Sequence, residues 1–114
     1  MTAALDTRVR WDELARPGPV AGVEAATVHG ARLSAARYVL EPNVVVPEHA
    51  HASEEFGHVL AGSLELRCAG AVERLGPGDA FLVPGDTPHA ATAGPDGCEL
   101  LECYAPPRGP KEGR

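Results

Sequence analysis

The chain has 114 residues, with 16 Asp and Glu against 10 Lys and Arg and a formal net charge of -6. That length accommodates one core without disulfide staples, and an acidic balance with no basic run excludes a surface that tracks phosphates, so neither a second domain nor a nucleic-acid partner is expected. Three cysteines, Cys68, Cys98 and Cys103, form no C-x-x-C pair; an odd number suits a reducing compartment, where they read as small buried apolar side chains.

Residues 1–20 carry Arg8, Arg10, Trp11, Asp12 and Glu13 in place of a continuous apolar stretch. This argues against a signal peptide, a membrane span or a membrane partner, and for a cytoplasmic protein. Only Asp12 to Ala15 has a helical look. From there on, 13 Gly and 11 Pro punctuate short segments without helical period, which favours an all-β sandwich or barrel. The predicted strands are Val23 to His29, Arg32 to Leu40, Phe56 to Leu60, Ser63 to Cys68, Ala80 to Val83, Ala90 to Ala93 and Cys98 to Tyr104. Leu64 to Cys68 alternates apolar and charged residues, as a strand does with one face on the core and one in water. Ala61 and Gly62 read as its hairpin turn, and Leu75-Gly76-Pro77-Gly78-Asp79 as a second tight turn. A single domain is expected over 1–114, its barrel core at about 20–105, with 1–19 peripheral and the Pro- and Gly-rich tail from Pro106 to Arg114 fraying.

The chemistry-bearing residues lie in two clusters. His49 and His51 are two apart, so on an extended strand both imidazoles leave the same face, close enough to share one ion. Glu55 follows four residues later and adds a hard oxygen ligand. His89 comes 34 residues after Glu55, past a turn at Pro84 to Pro88, and a barrel can return it to the same ion. Parity sends Glu54 outward as a solvated acid and places His58 opposite Glu55, in packing or an interface. His29 has no partner in sequence and receives no role.

The run His49-x-His51-x-x-x-Glu55, six residues, Gly62 resembles the first cupin motif, and Gly78, five residues, Pro84 and then His89 resembles the second. Asp86 stands where Gly is usual and Ala93 where Asn is frequent, and neither change removes a ligand. The resemblance covers roughly residues 35 to 105 and implies a double-stranded β-helix, a jelly-roll barrel, with the metal and a small-molecule site inside. The surroundings of Trp11 and Glu13, Glu54 to Gly62 and the ending Tyr104-Ala-Pro-Pro-Arg108 are similar to small cupins that include uronate ring-opening enzymes of pectin and alginate degradation; cupin polyketide cyclases share the layout. Where the ring-opening group has Asp, Phe and Arg, this chain has Glu102, Tyr104 and Arg108, and Glu55 where that group often has Gln.

The resemblance implies an enzyme of the isomerase, cyclase or lyase kind, using one divalent Fe, Ni, Mn, Zn or Cu ion as a Lewis acid. Glu102 would be the base, Arg108 would hold a carboxylate or enolate oxygen, and Tyr104 would pack on the substrate or offer its hydroxyl. Without the family, Glu102 and Tyr104 read as a cross-strand ion-pair member and a core aromatic. The rivals are an iron or copper dioxygenase and a non-enzymatic sensor of a small ligand. A homodimer is expected, because pairing covers an exposed sheet edge.

Overall fold

A computed structural model of the protein describes residues 7–108. A short helix, α1 (Trp11–Leu14), is followed by strands β1 (Arg16–Pro17), β2 (Val23–His29), β3 (Ser34–Leu40), β4 (Val45–His49), β5 (Glu54–Cys68), β6 (Ala71–Leu75), β7 (Ala80–Val83) and β8 (His89–Ala105). All pairings are antiparallel, in the order β1-β2-β3-β8-β5-β6, with β4 against β8 and β7 against β5. No helix among the described residues is long and apolar enough to cross a membrane.

Two long strands organise everything else. The first part of β5 lies between β7 and the far end of β8, while its second part lies between β6 and the near end of β8. In the same way β8 pairs with β4 through Thr92, Ala91 and His89 and with β3 from Cys98 to Tyr104. Each strand therefore serves two layers, and both shift register midway, around Ala61 and Leu64. This corrects the hairpin expected at Ala61-Gly62: the predicted strands on either side are one strand, as are Ala90 to Ala93 and Cys98 to Tyr104. Gly62 has φ 75°, and a Cβ there would lie 2.1 Å from the Gly97 carbonyl oxygen, so the glycine permits a bulge and close backbone approach. The hairpin turn is at Ala69 and Gly70, both at positive φ, closing the Cys68–Ala71 pair.

The layers close on a shared core. Val23, Leu40, Val59 and Leu100 from one layer meet Leu64 and Ala93 from the other, with Val46, Phe81 and Ala91 packed against them. Leu64 and Leu100 are each 3 % exposed, and burying a leucine this fully contributes about 1.5–3 kcal/mol. Cys98 joins this core, but Cys68 is half-buried and Cys103 exposed, so only one of the three free thiols is the buried apolar side chain expected.

The tail departs from expectation. The buried Ser53 hydroxyl donates to the Pro106 carbonyl at 2.8 Å, and the buried Ser34 hydroxyl both accepts from the Arg108 N–H at 2.8 Å and donates to the Arg108 carbonyl at 2.9 Å. Pro106 to Arg108 are thus pinned to the barrel; the rest of the tail, 109–114, lies outside the described residues.

Candidate metal centre

The three histidines arrive from different elements. His49 ends β4, His89 begins β8 opposite it in register, and His51 lies in the loop before β5, not on the extended strand expected to carry it. Their ring centroids are nonetheless 4.3 to 5.6 Å apart. One ligand atom from each lies within 4.8 Å of the others, close to the span of about 4 Å that bonds of about 2 Å let a single ion bridge.

Each ring is oriented by its own backbone carbonyl. Nδ1 of His49 donates to Pro47 O at 2.8 Å, that of His51 to Ser53 O at 2.9 Å and that of His89 to Thr87 O at 2.8 Å. A carbonyl only accepts, so Nδ1 carries the proton and the neutral ring keeps its lone pair on Nε2. His51 Nε2 lies 3.1 Å and His89 Nε2 3.3 Å from Glu55 Oε1. The His89 atom is buried and too poorly aligned to form a hydrogen bond. Fixed tautomers, converging lone pairs, an orphaned nitrogen and an adjacent carboxylate fit a divalent transition metal.

Electrostatics separate the two carboxyls, buried Glu55 and half-buried Glu102. Burial pushes Glu55 up, but its contacts with His89 and Glu102 outweigh this and hold it below the ordinary carboxylate range. Glu102 is raised well above that range by burial and then by the charge of Glu55. Burial and charge thus favour a proton on Glu102 and ionisation of Glu55. Burial lowers His51, while Glu55 raises His89.

A line of hydroxyls continues from Glu102. Tyr104 donates to Glu102 Oε1, and Tyr38 Oη lies 3.1 Å from Tyr104 Oη. Because Tyr104 uses its hydrogen on Glu102, Tyr38 donates to Tyr104, and the line runs from Tyr38 through Tyr104 to Glu102. Burial pushes Tyr38 up to about 12 and Tyr104 higher than its ordinary value, so both phenols stay protonated. The Arg108 guanidinium carbon stands 5.5 Å from the Tyr104 ring centroid, within cation–π range. Arg108 Nε is buried without a hydrogen-bond partner, and no ion pair engages this side chain among the described residues.

The structure thus brings His49, His51, Glu55, His89, Glu102, Tyr104 and Arg108 together, and all but His51 line one cavity of about 340 Å³. Glu102, expected as a base, has its pKa raised, chiefly by burial. It also adds Tyr38, which sequence reasoning passed over although it shares inward parity with Ser34, Ala36 and Leu40 on β3. Glu54 is exposed, and His58 lies on the opposite face of β5 from Glu55, as parity required.

This barrel and its three-histidine site define a metal-binding cupin. A cupin-domain family model matches residues 36–104, and the chain belongs to that family. Among solved structures, KdgF from a Halomonas species is similar over 85 % of this chain and 89 % of its own, at 26 % identity and TM-score 0.78. An RmlC-like cupin from Shewanella frigidimarina shares 21 % identity over 93 % of this chain and 96 % of its own, with TM-score 0.81. A Bacillus subtilis oxalate decarboxylase, described with Mn(II) centres, shares 20 % identity and TM-score 0.81 over 93 % of this chain, which spans 31 % of that longer protein. No curated protein matches in sequence.

Proposed function

We propose that this cupin is a metal-dependent enzyme that isomerises, opens or cyclises a small oxygen-bearing substrate by proton transfer, without redox change. The observation that carries it is the hydrogen-bonded line from Tyr38 through Tyr104 to Glu102, opening on the same cavity as Glu55, His49 and His89 and flanked by Arg108, whose Nε is buried without a partner. His49, His51, Glu55 and His89 would hold the metal, which when bound supplies Lewis-acid polarisation of a substrate oxygen. Glu102 gives its proton to the substrate carbon or leaving oxygen and recovers one from the substrate or, along the line, from Tyr104. Arg108 holds the substrate's anionic oxygen through its planar donors. The similarity to KdgF supports this class of chemistry.

The test is metal analysis of protein purified without a His-tag, wild type beside His51→Ala, then turnover of unsaturated uronates and enolisable keto acids with an oxygen electrode in parallel. Conversion without oxygen uptake, dependent on the metal, is the expected result. Oxygen consumption matched to product would replace this proposal with a dioxygenase, and absence of metal from wild type would leave a binding module.

A homodimer belongs to the same proposal. Phe56 is 46 % and its register partner Leu82 59 % exposed on the outer face of β5 and β7, an apolar pair that a second copy would cover. Light scattering should give a dimer for wild type and a monomer for Phe56→Glu.

A further inference from the structure

The cavity is polar at one end only. His49, Glu55, His89, Glu102, Tyr104 and Arg108 gather there, whereas Val23, Leu40, Val46, Leu64, Leu66 and Leu100 form the walls beyond. Among the other lining residues Tyr38 spends its hydroxyl on Tyr104, and Glu48 is exposed to solvent. The wall backbone is largely committed to strand pairing. A hydroxyl brought against these walls loses water and gains no partner. The space is also kept open by small residues: Ala90 and Ala91 line it, where larger side chains would fill it as core. The tip of the Phe81 ring sits at Gly57, where an added Cβ would lie 2.1 Å from it. At the polar end, buried Arg108 Nε and His89 Nε2 have no hydrogen-bond partner.

Resting on the enzymatic reading above, we infer that the substrate has an apolar, ring-sized body and a single acidic head, a carboxylate or an enolised carbonyl. The head meets Arg108 and the histidines; the body lies against Leu64, Leu66 and Leu100. Of the two substrate kinds raised by the sequence, the walls favour one with a hydrocarbon or aromatic frame over a polyhydroxylated sugar acid. A cavity of about 340 Å³ is near the lower limit of small-molecule sites, about 300–1,000 Å³, and takes one or two rings.

The test is calorimetric binding to zinc-loaded protein of 2-naphthoate and D-glucuronate, which have the same charge and the same number of non-hydrogen atoms. Naphthoate should bind tighter by about tenfold or more, since an apolar pocket rejects buried hydroxyls by roughly this order or above. Val46→Phe, at a half-buried wall position, should weaken naphthoate about tenfold by filling the space, with metal content unchanged. If that variant fails to fold, Ala91→Leu is expected to do the same. Equal affinities, tighter glucuronate, undetectable naphthoate binding or an indifferent wall variant would each overturn the inference. Metal is assayed in the same samples. A glucuronate preference with normal metal sinks this inference alone, and a naphthoate preference in protein that holds no zinc sinks the metalloenzyme reading alone.

Discussion

The interior of the barrel has two ends built on the same strands. Along β8 the inward positions run Tyr104, Glu102, Leu100, Cys98, and along the first part of β5 they run Glu55, Gly57, Val59. Two steps along a strand, about 7 Å, separate a carboxyl whose pKa burial drives upward from a leucine for which the same burial is stabilising. On the outer faces Glu65 pairs with Arg67 and Arg74 along the second part of β5, while Phe56 and Leu82 stand bare outside its first part. Stability and chemistry are therefore separable by position, and substitutions at the two ends should fail differently.

The largest separation is expected from His51→Ala. Metal should fall from about one equivalent to near none while the apolar end keeps the chain folded, checked by elemental analysis beside circular dichroism. Glu102→Gln should lower turnover by about 10²–10⁴ with metal retained. In metal-stripped protein it also reports on the raised pKa. A carboxyl that holds its proton when folded but releases it when unfolded makes stability fall as pH rises from the ordinary carboxylate range toward the folded value. Denaturant melts at about pH 5 and about pH 8 should show a drop in wild type that the glutamine variant lacks. A flat wild-type profile would mean that Glu102 is ionised throughout.

At the other end, Leu100→Ala should cost about 2–5 kcal/mol and leave metal content intact; concurrent metal loss would show the ends to be coupled. Ser34→Ala strips two hydrogen bonds from Arg108 and should cost about 1–2 kcal/mol, with weaker binding of anionic ligands. The smallest effect concerns Cys98, whose thiol burial pushes up to about 11. It should resist alkylation at neutral pH until the protein is unfolded, as mass spectrometry would show.

The polar end was more legible in the sequence than the strand plan. Ligand spacing survives irregular backbone: His51 lies in a loop, yet it still faces His49. Glycine was the misleading signal. Gly62 and Gly97 mark bends where two strands approach, not turns, and only the cross-chain distance tells the cases apart. The true turn hid behind Ala69, a residue that rarely adopts positive φ. β4 was missed because Pro47 interrupts it, which an edge strand tolerates, and β6 because it is exposed almost throughout and shows no alternation. The upward shift at Glu102 comes from burial and then from Glu55, 47 positions away in sequence and a neighbour only once the barrel closes.

The position of β8 has a consequence for how the molecule is made. This strand follows β3, β4 and β5, all of which it pairs with. As the polypeptide emerges from the ribosome, β2 and β3 can zip together at once, but the inner surfaces of β4 and β5 wait for β8 to be translated. Until then Val59, Leu64 and Leu66 face solvent or a chaperone. The strand that brings Glu102 and Tyr104 to the histidines is the one that completes the barrel, so assembly of this cluster and release from folding assistance become a single late event.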